Sequence, residues 1–105
     1  MQAPPPQLDR QLKAIANAQR RQVLEWLRDP RTHFAPQVDG DLVEDGVCAL
    51  RIEEKLGLAQ PTTARHLKVL VDAGLLVPKR IRQWAFYRRN EPGIAALRLE
   101  LSERL

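Results

Sequence analysis

The sequence predicts a mainly α-helical protein with one small β-hairpin, and three observations carry this prediction. Two helical patterns lie on either side of Gly57, within residues 49–73. A segment rich in residues that favour strands follows at 76–89. Apolar residues at helical spacing occupy both ends of the chain. This order is typical of a winged helix-turn-helix with N- and C-terminal dimerisation helices, formed as a single domain over residues 8–105.

The chain opens with residues 1–7, a proline-rich lead-in that we expect to be disordered or extended and that lacks the features of a secretory signal. The first helix is then predicted from the apolar residues Leu8, Leu12 and Ile15. A second amphipathic run covers residues 20–28 and ends at Pro30. Residues 17–19 allow either a bend between the two helices or one longer helix, and the sequence leaves both open.

The central helical pair is separated by Gly57, which supplies the positive φ that ends the first of its two helices. The apolar face of that first helix is predicted from Leu50, Ile52 and Leu56. The second helix has a predicted buried stripe of Thr63, Leu67, Leu70 and Val71. Its other face is polar and basic, with side chains that can reach phosphates and base edges in a major groove: Gln60, Thr62, Arg65, His66 and Lys68.

The predicted hairpin at 76–89 has a basic tip, which would place donors beside a phosphate backbone. These residues are Lys79, Arg80, Arg82 and Gln83. No Asn-Gly or Gly-Gly pair indicates the turn, so the position of the turn stays open. The candidate DNA-binding residues are therefore Gln60, Thr62, Thr63, Arg65, His66, Lys68, Lys79, Arg80, Arg82 and Gln83.

Charge is distributed unevenly along a chain of 105 residues and formal net charge +4. Residues 60–90 contain seven lysines and arginines against Asp72 alone, which indicates a nucleic-acid partner for this half. Residues 29–47 contain five acids against Arg31. This long acidic segment is open to three interpretations: an effector pocket, a dimer contact, or a mobile loop that keeps this surface away from DNA.

The last predicted helix begins at residues 91–93, where Pro92 is tolerated in the first turn. Its apolar stripe is formed by Ile94, Leu97, Leu101 and Leu105. We predict that this stripe and the first helix form a homodimer through Leu8, Leu12, Ile15, Ile94, Leu97 and Leu101. Such a dimer would read a pseudo-palindromic operator in double-stranded DNA. The alternative is that both stripes complete the core of a monomer.

Over residues 8–105 the chain resembles the ArsR/SmtB family of bacterial winged-helix repressors, most closely in the run from Leu58 to Leu76. The resemblance implies a homodimeric transcriptional repressor released from its operator by an inducer. Two residues depart from the family pattern, because Ala59 and Ala64 stand where serine is usual. Ala59 removes an expected helix N-cap, and Ala64 removes a hydroxyl that could contact a phosphate.

Metal sensing of the kind found in this family lacks a complete ligand set here, so we expect no cofactor. Cys48 is the single cysteine, and Leu50 occupies the partner position of the family's Cys-x-Cys pair. The last helix contains no histidine, which speaks against an inter-subunit zinc site. For Cys48 three roles remain: a small core residue, a thiol oxidised across a dimer, or a metal ligand that recruits His33, Asp39, Asp41 or the second subunit.

Three function classes can be compared, and a DNA-binding transcriptional repressor is favoured. The alternative is a winged helix that binds protein without specific DNA binding, although such proteins often lose the basic residues kept here. A small hydrolase or transferase is not supported, because no phosphate-binding glycine motif or paired metal motif is present.

His66 has two open roles, a base contact or an internal hydrogen bond. No apolar stretch is long enough to cross a membrane, and we expect a cytoplasmic protein.

Overall fold

The computed structural model describes residues 7–105, in which helices at both ends enclose a helical pair and a small antiparallel sheet. In chain order the elements are α1 (Gln7–Ile15), α2 (Ala18–Arg28), α3 (Pro30–His33), β1 (Val47–Cys48), α4 (Ala49–Leu56), α5 (Gln60–Asp72), β2 (Leu76–Ile81), β3 (Trp84–Arg89) and α6 (Glu91–Arg104). Of the predicted lead-in, residues 1–6 lie outside the described part of the chain. Gln7 begins α1, so the first helix starts one residue before its predicted boundary.

A break between α1 and α2 resolves the alternative that the sequence left open. Asn17 is the N-cap of α2, and its side-chain oxygen accepts a hydrogen bond from the backbone N–H of Arg20 at 3.0 Å. This bond satisfies a donor that the first turn of α2 would otherwise leave unpaired. Pro30, which was predicted to end the second helical run, also occupies the first position of the short helix α3.

The predicted helix-turn-helix at 49–73 is present as α4 and α5. Gly57 ends α4 in the left-handed conformation, with φ of 68°, and its N–H reaches the carbonyls of Glu53 and Glu54. Within α4, Ile52 is fully buried but Leu50 is 42% exposed, so the prediction that Leu50 faces the core is wrong. The error arises because residues 50 and 52 lie about 200° apart around an α-helix and cannot share one narrow face.

The three strands form an antiparallel sheet in the order β1-β3-β2. The predicted wing at 76–89 is the β2–β3 hairpin, in which Ile81 pairs with Trp84, so the turn residues are Arg82 and Gln83. Arg82 takes a positive φ of 56°, which is uncommon for a residue with a side chain. The strand β1 was not predicted, because its two residues are too few to show a period; it pairs with Tyr87 and Phe86 of β3.

Helix α6 begins after Asn90, whose side chain caps its first turn through the N–H of Gly93. Ile94 and Leu97 are 8% and 6% exposed and belong to the core of the same chain. Together with Ile15 and Leu101 they also line an open apolar groove, and their role as dimer contacts stays a prediction. A helical stripe identifies an apolar face without showing which neighbour covers it. In contrast, Leu99 and Leu105 are exposed.

The acidic segment between α3 and β1 packs against the rest of the molecule. Phe34 at its start and Leu42 in its second half are buried in the core. Between them, the Gln37 amide donates to the carbonyl of Gly46 at 2.7 Å and accepts from the N–H of Cys48 at 3.1 Å. These contacts give the segment a defined path beside the sheet.

Candidate nucleic-acid interface

The exposed side of α5 is the first part of the candidate interface. Pro61 and Arg65 are exposed one turn apart, and Lys68 follows on the same side after three more residues. Gln60 and Ala64 are also exposed, whereas the Thr62 side chain is half-buried. Lys68 is held by an ion pair with Asp72 at 2.9 Å within the helix. The accessible face of α5 thus presents a polar N-terminal end followed by two cations.

Two predicted DNA-binding residues of α5 face inward instead. Thr63 is 2% exposed, and its hydroxyl has no hydrogen-bond partner among residues 7–105. His66 is 8% exposed. Both belong to the buried side of α5 together with Leu67 and Leu70, which corrects their assignment as DNA contacts and confirms the buried position predicted for Thr63. Of the two roles left open for His66, the structure shows the internal hydrogen bond.

The partner of His66 is Arg20 of α2, whose Nη1 lies 3.1 Å from Nδ1 of the imidazole. The same guanidinium donates from Nε to the carbonyl of Ala14 at 2.7 Å and from Nη2 to that of Lys13 at 3.1 Å. Arg20 therefore joins the end of α1, the start of α2 and the middle of α5. No sequence pattern indicated this contact, because its partners lie up to 46 residues away from Arg20.

Burial lowers the pKa of His66, and the positive charges of Arg20 and Arg65 act in the same direction. A guanidinium can only donate hydrogen bonds, so Nδ1 of His66 accepts and the proton of the neutral ring lies on Nε2. The imidazole is consequently uncharged at neutral pH. It contributes packing and a hydrogen bond to α5 rather than a positive charge for phosphate binding.

The wing is the second part of the interface, and its predicted tip residues are all exposed: Lys79, Arg80, Arg82 and Gln83. Arg80 donates to the carbonyl of Gln83 at 3.3 Å across the turn. Arg88, on β3, is a further exposed cation that the candidate set did not include. Arg89, in contrast, is 8% exposed and serves the fold, since it binds the Glu91 carboxylate at 2.9 and 3.1 Å.

Two of the wing cations are already paired with carboxylates from the acidic segment. The Lys79 ammonium contacts the Asp45 carboxylate, and the Arg82 guanidinium lies 3.8 Å from that of Asp39. The Lys79 contact and the backbone N–H of Asp41 both lower the pKa of Asp45. Among the predicted tip residues, Arg80 is thus the cation without an ion pair to the described residues.

Comparison with known proteins decides the family. Residues 47–77, which span β1, α4, α5 and the start of β2, match the model of the bacterial regulatory protein, arsR family. Over 85 residues the chain is 40% identical to the uncharacterized HTH-type transcriptional regulator YbzH of Bacillus subtilis (strain 168), covering 81% of this chain and 85% of YbzH. The chain belongs to the arsR family.

Solved structures agree with this assignment at the level of the fold. The crystal structure of the ArsR family transcriptional regulator RHA00566 superposes with a TM-score of 0.71 at 20% identity, over 99% of this chain and 92% of that one. The homodimeric winged helix-turn-helix DNA-binding domain Mb0332 of Mycobacterium bovis superposes with a TM-score of 0.64 at 21% identity, over 97% and 88% of the two chains. The predicted winged helix-turn-helix is confirmed.

Membership of the arsR family establishes that the protein is a transcriptional regulator with a winged helix-turn-helix DNA-binding domain, and not an enzyme.

The departure expected at Ala59 is visible in the structure. Ala59 takes the extended conformation of an N-cap, with φ of −66° and ψ of 152°, but offers no side-chain oxygen to the first turn of α5. Ala64 is exposed in the middle of the helix.

Cys48 lies at the N-cap of α4 and is half-buried, between the core and solvent. A shallow cleft beside it is lined by Gln37, Asp39, Leu50, Arg51 and Trp84.

Within residues 7–105 no three His, Cys, Asp or Glu side chains come together as a metal site would require. None of the helices between Gln7 and Arg104 is long and apolar enough to cross a membrane.

Proposed function

We propose that the protein is a homodimeric repressor that binds a pseudo-palindromic operator in double-stranded DNA and leaves it when an inducer binds. The observation that carries this proposal is the division of α5 into two sides. Thr63, His66 and Leu67 hold one side in the core, while Arg65 and Lys68 remain accessible on the other. Because bacterial DNA lies in the cytoplasm, such a repressor acts there.

In this proposal α5 enters the major groove with its N-terminal end first. Gln60 and Thr62 read base edges there, and Arg65 binds either a guanine edge or a phosphate. The wing lies beside the phosphate backbone, where its basic residues fix the register without reading sequence. Arg80 is the wing residue best placed for this role, since Lys79 and Arg82 must first leave their carboxylate partners.

The proposed homodimer is supported by the apolar side chains that the described residues leave exposed on the terminal helices. Leu12 of α1 is 38% exposed and Leu99 of α6 is 60% exposed, although both lie on helices whose other faces are buried. The homodimeric state of the structurally similar Mycobacterium bovis domain also supports a homodimer. A two-fold axis would place two copies of α5 about 34 Å apart, one DNA turn.

The inducer is not identified by the residues of the chain, and we assign no resident metal or cofactor. A single cysteine cannot supply the three thiolates that a soft arsenic site takes. The role of Cys48 is tested by a Cys48→Ser variant. Release from DNA by oxidants or thiophilic metals that is lost in this variant would make Cys48 a sensor, whereas unchanged release would eliminate both sensing roles.

The experiment that tests operator binding is fluorescence anisotropy on the duplex upstream of the protein's own gene, against a shuffled duplex of equal length, near ~150 mM salt. We expect tight binding of two chains per native duplex only. Arg65→Ala should weaken it by about 1–3 kcal/mol. The control Arg28→Ala removes the same charge from the exposed end of α2 and should bind as wild type. Equal, weak binding to both duplexes would instead favour a protein-binding winged helix.

The experiment that tests the dimer is sedimentation velocity at micromolar concentration. Leu99→Glu places a charge on the exposed face of α6 and should yield a folded monomer. Val38→Glu makes the same change at a residue that is 97% exposed on the acidic segment, and it should remain dimeric. A folded wild-type protein that is already monomeric would contradict the proposed dimer.

A further inference from the structure

We propose that residues 39–45 of the acidic segment form an autoinhibitory contact that holds the wing and opposes its binding to DNA. The proposal rests on the proposed DNA-binding function, and it adds a built-in competitor for the phosphates. Residues 39–45 contain four carboxylates and no basic residue. Two of these carboxylates, those of Asp39 and Asp45, reach cations of the wing from positions 43 and 34 residues earlier in the chain.

The acidic segment is folded around the Asp41 side chain. Its carboxylate accepts hydrogen bonds from the backbone N–H groups of Val43 and Glu44, both at 2.9 Å. The Asp45 carboxylate in turn accepts from the N–H of Asp41 at 2.7 Å. These bonds form a turn within the segment, and the burial of Leu42 anchors that turn to the core. The hydrogen bond from Asp41 therefore holds the Asp45 carboxylate in addition to its contact with the wing.

Two glycines bring the segment against the hairpin. A Cβ at Gly46 would lie 2.4 Å from the carbonyl oxygen of Tyr87, so only glycine permits this approach to β3. A Cβ at Gly40 would lie 3.1 Å from Cε1 of Phe86 and 3.3 Å from Cδ1 of Ile81. The segment is thus seated on β3 and on the end of β2, directly beside the wing tip.

This close packing against β2 and β3 brings two carboxylates to cations of the wing. The Asp45 side chain is 19% exposed and contacts the Lys79 ammonium, which is itself half exposed. The Asp39 carboxylate is 3.8 Å from the Arg82 guanidinium, at the first residue of the turn. A DNA phosphate that approached either cation would have to displace a carboxylate. It would also meet a like charge well inside the ~8–10 Å over which charges act at physiological salt.

As a consequence, the wing contributes less electrostatic free energy to DNA binding than its number of basic residues suggests. Each phosphate neutralised by a cation steepens the dependence of log Kobs on log salt by about 0.9, which corresponds to about five-fold in affinity near 150 mM salt. Lys79 and Arg82 contribute less than this while their carboxylate partners remain. Affinity is then carried more by α5, whose contacts depend on the base sequence.

The test is salt-dependent anisotropy on a mixed-sequence duplex, with the double variant Asp39→Asn/Asp45→Asn. Asparagine keeps the size of each side chain, and its amide oxygen at position 45 can still accept the N–H of Asp41. We expect affinity to rise about five-fold for each cation released and the salt slope to steepen by about one to two. The control Glu25→Gln/Glu103→Gln removes the same charge from exposed residues of α2 and α6. A rise no larger than that of this control would overturn the proposal.

A double-mutant cycle supplies the second measurement. Lys79→Met should change DNA affinity little in the wild-type background and lower it about five-fold in the Asp45→Asn background. Equal losses in both backgrounds would overturn the contact. If Asp45→Asn does not fold by circular dichroism, Asp39→Asn with Arg82→Met forms the same cycle, because Asp39 lies outside the hydrogen-bonded turn. A wild-type protein that binds no duplex at low salt would overturn both proposals, whereas binding without coupling would overturn this one alone.

Discussion

The guanidinium of Arg20 lies 3.1 Å from Nδ1 of His66 and so links α2 to the buried side of α5. The other N–H groups of Arg20 bind the carbonyls of Ala14 and Lys13 at the end of α1. Arg20 therefore helps to position α5 relative to the two N-terminal helices, together with Gln7 and Gln11 of α1, whose amides donate to the carbonyl of Ala73 at the end of α5. The helix proposed to read DNA is thus held on its buried side, by contacts that lie away from its exposed face.

His66 should make the stability of the protein depend on pH. Its pKa is lowered in the folded state, so the unfolded chain binds a proton first as the pH falls. The stability that the buried neutral ring contributes is complete above the unfolded pKa of about 6.5 and is lost as the pH falls towards the folded pKa. We expect the free energy of unfolding to decline in this window, with a slope of at most about 1.4 kcal/mol per pH unit.

The measurement is urea denaturation followed by tryptophan fluorescence between pH 8 and 5, using wild type, His66→Gln and His33→Gln. His66→Gln should flatten the decline, while His33→Gln, which changes a half-buried residue of α3, should retain it. Identical pH profiles for all three proteins would show that His66 does not titrate differently on folding.

Ala59→Ser should stabilise the protein, because Ala59 already has the backbone conformation of an N-cap and lacks only the acceptor. A serine there can accept an N–H of the first turn of α5, which is worth about 0.5–2 kcal/mol. The matched variant Ala64→Ser adds the same hydroxyl in the middle of the exposed face and should cost about 0.5 kcal/mol. Thermal unfolding of both variants checks the difference in sign, and an Ala59→Ser protein no more stable than wild type would contradict it.

Gly46→Ala and Gly57→Ala should differ, although both glycines have positive φ. At Gly57 the added Cβ meets nothing within 4 Å, so the cost is the left-handed conformation alone, about 1–2 kcal/mol. At Gly46 the Cβ would collide with the backbone of Tyr87, and we expect a loss of about 3 kcal/mol or more. Chemical denaturation of the two variants measures this difference; equal losses would mean that the segment does not lie so close to β3.

Leu97→Ala and Leu99→Ala separate the core side of α6 from its exposed side. Leu97 is 6% exposed and Leu99 is 60% exposed. Removing the Leu97 side chain leaves a cavity and should cost about 2–5 kcal/mol. Leu99→Ala should change the unfolding free energy of the monomer by less than about 0.5 kcal/mol. The comparison is made by urea denaturation at low protein concentration, and a larger loss for Leu99→Ala would reverse the assignment of the two faces.

The sequence by itself determined the order and type of the main elements, because these depend on local patterns. Gly57 marks the end of α4, the strand-favouring run at 76–89 is the wing, and Pro92 lies in the first turn of α6. The run around α5 was enough to indicate the family. Each of these signals is contained within a few turns of the chain, where residue type and spacing act directly on the backbone.

Only the tertiary structure decided which side of each helix is accessible. Thr63 and His66 were candidates for DNA contacts, and Ile94 and Leu97 were candidates for dimer contacts, yet all four are buried within the chain. Their exposure depends on neighbours that are distant in sequence, as does the contact of Asp45 with Lys79 across 34 residues. Charge patterns indicated that the acidic segment and the basic wing are opposite in sign. That they meet is a consequence of three-dimensional packing, in which the burial of Leu42 and the close approach at Gly46 bring the carboxylates to the wing.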